Sequence, residues 1–143
     1  MGLFDALDAS GSALSAERVR MDVTAENLAN AQSTRTANGQ GPYRRKEVVM
    51  QEAGAGVGSS FADSLQAARG VKVAGIVEDP TPSRKVYDPG HPDADAQGYV
   101  EMPNVNTVTE MTDLIGASRA YEANVTAMQT TKSMFARTLD ILR

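Results

Sequence analysis

Leucine and methionine recur every seven residues at the start of the chain, at Leu7, Leu14, Met21 and Leu28, and Leu3 and Phe4 carry the stripe back toward the first residue. The far end repeats the pattern. Leu114, Tyr121, Met128, Phe135 and Leu142 also recur at seven, with Met111, Val125 and Leu139 three positions ahead of three of them. This reads as the a and d positions of a coiled-coil seam, so both ends predict helices. Period alone also fits a pair of ordinary amphipathic core helices. Length favours the seam, because runs of about 30 and 38 residues exceed the 8 to 20 typical of globular helices.

The C-terminal run carries more apolar residues than one seam needs. Ile115, Ala117, Ala120, Ala123, Ala127, Met134, Ala136 and Ile141 fall on several faces, and a helix of that kind wants several neighbours. Its interior is also rich in weak helix formers, among them Thr112, Gly116, Ser118, Asn124, Thr126, Thr130, Thr131, Ser133 and Thr138. Burial rather than propensity has to hold it.

Between these arms the pattern breaks. Ser33 to Pro42 is polar and turn-forming, Tyr43 to Gln51 predicts a strand centred on Val48 and Val49, and Gly54 to Ser60 predicts a loop. Phe61 to Arg69 fits a short helix, Val71 to Val77 a second strand and Arg84 to Tyr87 a third. The stretch from Glu78 to Gln97 holds Pro80, Pro82, Pro89 and Pro92 and must be largely extended or turning. The expected fold class is mainly α with a small β-containing insertion. Its parts are an N-terminal helical arm over 1–32, an insertion over 33–103 and a C-terminal arm over 104–143 that packs with the first.

Composition narrows the function. Hydrophobic residues make up 41% of the chain but aromatics only 5%, so the core available to 143 residues is thin. A net charge of -4 and a pI near 4.9 oppose a phosphate-neutralising surface, so nucleic acid is not an expected partner. There is no cysteine, which excludes disulfides, cysteine-ligated zinc and thiol catalysis. The opening residues lack a basic n-region and a continuous apolar h-region, so no cleaved signal peptide is expected. No window reaches the length of a membrane span. Met1-Gly2 is followed by Ala6 where a myristoylation motif needs Ser or Thr.

Candidate chemistry is sparse. Gly54, Gly56 and Gly58 alternate, but no Lys-Ser or Lys-Thr pair closes a phosphate loop, and a linker is the reading they support. His91, the single histidine, lies between Gly90 and Pro92 with Asp88, Asp93 and Asp95 nearby, at spacings that match no ligand motif. No Ser, His and carboxylate set forms a recognisable catalytic motif. The chain therefore reads as having no catalytic, metal or cofactor residues. Arg44, Arg45 and Lys46 read as the solvated side of a strand or as an ion pair between subunits. Asn27 and Asn30 sit where the first periodic run stops and read as a polar cap at a helix end.

Longer motifs are more specific. NLANA (Asn27 to Ala31), GPYRRKEVV (Gly41 to Val49), VYDPGHPDADAQGYVEMPNV (Val86 to Val105), Glu110-Met111, ASRAYEANV (Ala117 to Val125) and KSM (Lys132 to Met134) resemble the flagellar basal-body rod proteins, most closely the proximal-rod members. The resemblance covers nearly the whole chain except Gly54 to Arg69. About ten residues separate NLAN from Pro42-Tyr43, where many rod proteins pass almost directly to a Gly-Tyr pair.

The resemblance implies a structural subunit without cofactor, with its terminal helices packed side by side within a tubular rod that crosses the periplasm. It implies Leu7, Leu14, Met21, Leu28, Leu114, Tyr121, Met128 and Phe135 as assembly contacts. The implied partners are other rod proteins, copies of the chain itself, the membrane ring of the basal body and the flagellar export apparatus, which delivers the chain without cleavage. A soluble coiled-coil adaptor is the alternative. The apolar residues on several faces of the C-terminal arm count against it.

Overall fold

In the computed structural model the described residues are 3–36, 41–53 and 70–141. The loop expected over Gly54 to Ser60 and the helix expected over Phe61 to Arg69 lie outside them. Helix α1 spans Leu3–Ala29 and helix α2 spans Thr107–Ile141. Four strands lie between: β1 (Lys46–Glu52), β2 (Val71–Glu78), β3 (Arg84–Tyr87) and β4 (Tyr99–Met102).

The weak helix formers are accommodated by their own helices. Ser10, Ser15 and Thr24 in α1, and Thr112, Thr126, Thr130, Thr131 and Thr138 in α2, each donate a hydroxyl bond to the carbonyl four residues back. The hydroxyls are satisfied within their own helix by sharing carbonyls that the backbone ladder already uses, which adds little to helix stability and leaves burial to supply it. Asn106 caps α2: its Oδ1 accepts from the amides of Val108 at 3.0 Å and Thr109 at 3.5 Å, meeting donors that the first turn leaves free.

The helices pack against each other along their length. Asn27 bonds Glu110, and a Cβ on Gly11 would touch the Met128 methyl, so the pair runs antiparallel. The centre of the seam is built from small and polar residues. Ala16, Val23 and Asn27 of α1 and Glu110 and Ala117 of α2 are buried. Leu7, Leu14, Met21, Leu28, Leu114, Tyr121 and Met128 are half-buried. The buried track on α2 runs through Glu110 and Ala117 and continues through the half-buried Asn124 and Thr131, whereas Met111 and Leu139 are exposed. The heptad partners assigned from apolar residues are thus displaced by one position, because small side chains let the helices approach closely and the larger ones close over the flanks.

β1 and β2 form an antiparallel hairpin with a bulge between Val49 and Met50. Lys46, Val48 and Met50 alternate inward and Glu47, Val49 and Gln51 outward, and both strands pack on α1. Gly70 enters β2 at φ 123° beside Ser12, whose hydroxyl accepts the Val71 amide at 3.1 Å; a side chain at this position would strike that hydroxyl. β1 begins three residues later than the sequence predicts, because Tyr43 is buried against α1 and its amide bonds the Ser33 carbonyl.

β3 and β4 form a second antiparallel pair, with Tyr87 and Tyr99 edge to face at 5.3 Å and Lys85 opposite Glu101. The sequence reading missed β4. Its four residues turn Val100 and Met102 inward and Tyr99 and Glu101 outward, a run too short to stand out as alternation in the sequence. The proline-containing loop between these strands closes where Gly98, at φ 82°, lets the Asp88 amide reach its carbonyl at 2.9 Å.

Candidate functional site

Two features of the paired arms bear on function: a buried polar node where the helices meet the hairpin, and apolar surface left exposed on α2. The node centres on Asn27 and Glu110, each 1% exposed. Asn27 Nδ2 donates to the Glu110 carboxylate at 3.0 Å and to the Lys46 carbonyl at 2.8 Å. Its Oδ1 accepts the Tyr43 hydroxyl and the Lys46 amide, both at 2.9 Å. Both hydrogens and both lone pairs of the amide are therefore used, as a buried asparagine requires. Asn27 is not a helix cap. It ties α1 to α2 and to the first residue of β1. Asn30 lies just past α1, where Nδ2 bonds the Glu26 carbonyl and Oδ1 accepts from Ser33.

Arg45 completes the node. Its Nε donates to Glu110 at 2.6 Å, and its guanidinium also pairs with Glu47, with Asp79 at 3.6 Å and with Asp113 at 3.7 Å. Burial disfavours that charge, but the hydrogen bonds and fields of Glu110 and Glu47 outweigh it and raise the guanidinium pKa further. The Arg45 backbone is fixed as well, its amide bonding Asn104 Oδ1 and its carbonyl accepting from Asp79. Arg45 is thus an internal hub and neither a solvated strand face nor free for another subunit. Arg44 beside it is exposed, and Lys46 pairs with Glu26 at 2.6 Å while its Nζ lies 5.6 Å from the centre of the Tyr43 ring. Burial, followed by the fields of Glu26, Glu110 and Glu78, pushes the Tyr43 hydroxyl up to about 12, so it stays a donor.

The proline-containing loop carries a lesser tie. Asp93 accepts from Thr34 at 2.7 Å and from Arg35 at 2.5 Å, and these bonds hold its carboxyl below the ordinary carboxylate range. His91 is part-buried in the turn, with Nδ1 accepting the Asp93 amide. Among the described residues no group of three His, Cys, Asp or Glu side chains is placed to hold a metal, and no helix is long and apolar enough to cross a membrane.

Apolar surface remains exposed on α2. Val108, Met111 and Ile115 form a patch near its start, and Met134, Phe135 and Leu139 lie near its end. Eighteen residues make about five turns, so Phe135 lies below Ala117 and Leu139 below Tyr121 on the seam face. Ala117 is fully buried, whereas Phe135 is 39% and Leu139 51% exposed. The seam face of α2 is thus less completely buried near its end than at its centre.

Residues 7–35 match the family model for the flagella basal body rod protein, and residues 96–141 match the model for the flagellar basal body rod FlgEFG protein C-terminal segment. The flagellar basal-body rod protein FlgC of Bacillus subtilis (strain 168) is 48% identical, over 99% of this chain and 99% of its own. The chain belongs to the FlgC family of flagellar basal-body rod proteins. The FlgC proteins of Yersinia enterocolitica and Salmonella typhimurium are 48% and 47% identical, each over 99% of this chain and 98% of theirs. In this FlgC-family chain the matched segments are the elements that form the helix pair: most of α1 with its closing turn, and β4 with α2.

Proposed function

We infer that this chain is a structural subunit of the flagellar basal-body rod and has no enzymatic role. Near full-length identity of 47–48% to proteins named as flagellar basal-body rod proteins carries the inference. It assembles with other rod proteins and copies of itself in a tube, located in the basal body where the rod crosses the periplasm. The export apparatus delivers it without cleavage, and the membrane ring surrounds it. The arms over 1–32 and 104–143 form the inner layer, and the insertion over 33–103 faces outward.

Leu7, Leu14, Met21, Leu28, Leu114, Tyr121, Met128 and Phe135 act in assembly through the surface that the intramolecular seam leaves uncovered, since seven are half-buried and Phe135 is exposed. Val108, Met111, Ile115 and Leu139 extend that surface. Exposed Met134 and Leu139 near the end of α2 support this reading, because they offer apolar surface to a neighbouring helix beside a packing already formed within the chain. A coiled-coil adaptor that uses one seam for dimerisation leaves the patch at Val108, Met111 and Ile115 without a role.

Ile115→Asp and Leu139→Asp test the proposal. Both positions are exposed, so each substitution should change the stability of the chain by no more than about 0.5 kcal/mol. An unpaired carboxylate shut into an interface costs several kcal/mol, and a repeating assembly meets that cost at every subunit. The expected result is normal expression and helical content, no rods in electron micrographs of basal bodies, and non-motile cells. Normal swimming with normal rods in both variants would refute it.

A further inference from the structure

The heptad repeat that builds the arms does little to choose among alignments. Leu7, Leu14, Met21 and Leu28 on one helix and Leu114, Tyr121, Met128 and Phe135 on the other repeat at seven, and a shift of one heptad again sets large flank residues beside large flank residues. The centre is equally permissive, because Ala16 and Ala117 are small and the half-buried Asn124 and Thr131 bond carbonyls of their own helix. Pairing with the arm of another copy in place of the chain's own arm satisfies the same pattern. A seam of this kind needs a feature that fits in one alignment only.

The node is such a feature. Of the buried polar side chains among the described residues, Thr24 bonds the Arg20 carbonyl of its own helix, while Asn27 and Glu110 bond each other across the seam. The remaining partners of this pair come from the base of the hairpin: Tyr43, Arg45 and the backbone of Lys46. A one-heptad slip in either direction parts Asn27 from Glu110 and leaves a buried carboxylate or amide short of a partner. We propose that Asn27, Tyr43, Arg45 and Glu110 form a register determinant that selects the native alignment of the two arms within one chain and makes their pairing conditional on a folded hairpin base. These are positioning residues, and the inference is independent of what the exposed face of α2 contacts.

The absence of cysteine gives a clean background for the test. In purified full-length chain, Gly11→Cys with Met128→Cys reports native register, since a Cβ at Gly11 lies 3.8 Å from Met128 Cε. Gly11→Cys with Tyr121→Cys, and Gly11→Cys with Phe135→Cys, report one-heptad slips. A short bis-maleimide crosslinker reads each pair, and gel mobility separates products within a chain from products between chains. With the node intact the native pair should dominate the slipped pairs by about tenfold or more. Asn27→Leu with Glu110→Leu replaces the pair by apolar groups, which commonly preserves folding. It should keep the helical circular dichroism signal while slipped or inter-chain products rise to the level of the native one. Glu110→Gln, which keeps the bond to Asn27, should retain the single register. Unchanged crosslinking in the double-leucine variant would overturn the proposal. So would loss of its helical signal, which would make the node a folding requirement instead of a choice of register, or slipping in Glu110→Gln equal to that of the double-leucine variant.

Discussion

Ala117 is the most completely enclosed residue of the helix pair, with no exposed surface, and it offers a direct test of a seam closed by small side chains. Ala117→Leu adds three carbons at a fully buried position of α2. Leucine and alanine differ little in helix propensity, so the effect reports packing. Overfilling a packed site costs about 1–3 kcal/mol, and zero exposure at Ala117 places it in the upper half of that range. At about 2–4 °C per kcal/mol for a chain of this size, the melting temperature should fall by about 4–12 °C. Ala127→Leu is the control: the same substitution on the same helix at an exposed position, expected within about 0.5 kcal/mol of the parent. Thermal unfolding of the two full-length variants, followed by circular dichroism at 222 nm, makes the comparison. Melting temperatures within 1 °C of each other would refute the close-packed seam and restore the large heptad residues as its centre.

Tyr43→Phe should lose about 1 kcal/mol at neutral pH by removing the hydroxyl bond to Asn27. The raised pKa of Tyr43 means that its contribution is complete below pH 10 and disappears as pH climbs toward about 12, so the phenylalanine variant should lack that alkaline loss and the last tyrosinate absorbance step near pH 12. Gly98→Ala should destabilise the β3–β4 pair by about 1–3 kcal/mol, because φ is 82° and the new Cβ would lie 2.9 Å from the Tyr87 ring. Faster amide exchange at Val86 and Val100, with exchange at Ala117 unchanged, is the expected readout.

Both arms were legible in the sequence because long helices with a heptad repeat write their pattern over many turns. Three strands were legible for a related reason: Val48 and Val49, then Val71, Val73 and Ile76, then Val86 and Tyr87 concentrate β-branched and aromatic residues between glycines and prolines. β4 was not, since its identity depends on pairing with β3 and on only two inward positions, Val100 and Met102. The start of β1 was misplaced because Tyr43 suits a strand by propensity but is drawn out of the ladder by Asn27. Propensity yields there to a tertiary hydrogen bond.

The node was harder to read, and the reason is physical. A search for seams looks for large apolar side chains, yet the positions that helices bury most deeply need small volume or a complete set of hydrogen-bond partners. Asn27 looked like a cap because asparagine near a helix end usually is one; what changes its role is Glu110, distant in sequence and brought beside it only by the antiparallel fold. Arg45 read as solvated or paired between subunits because it stands in a run of three cations, Arg44, Arg45 and Lys46. One signal was present. Glu110, Ala117, Asn124 and Thr131 recur at seven, just as Leu114, Tyr121 and Met128 do, so the two tracks together mark a face whose centre is small and polar and whose flank is large and apolar. A heptad track holding a glutamate and an asparagine asks for a buried donor elsewhere in the chain, and Arg45, beside the tyrosine that leaves its strand, is the residue that answers. The deeply buried part of this seam thus carries the information about which partner and which alignment, while the half-buried leucines and methionines, repeating without distinction, supply adhesion that any neighbouring helix of the same pattern would share.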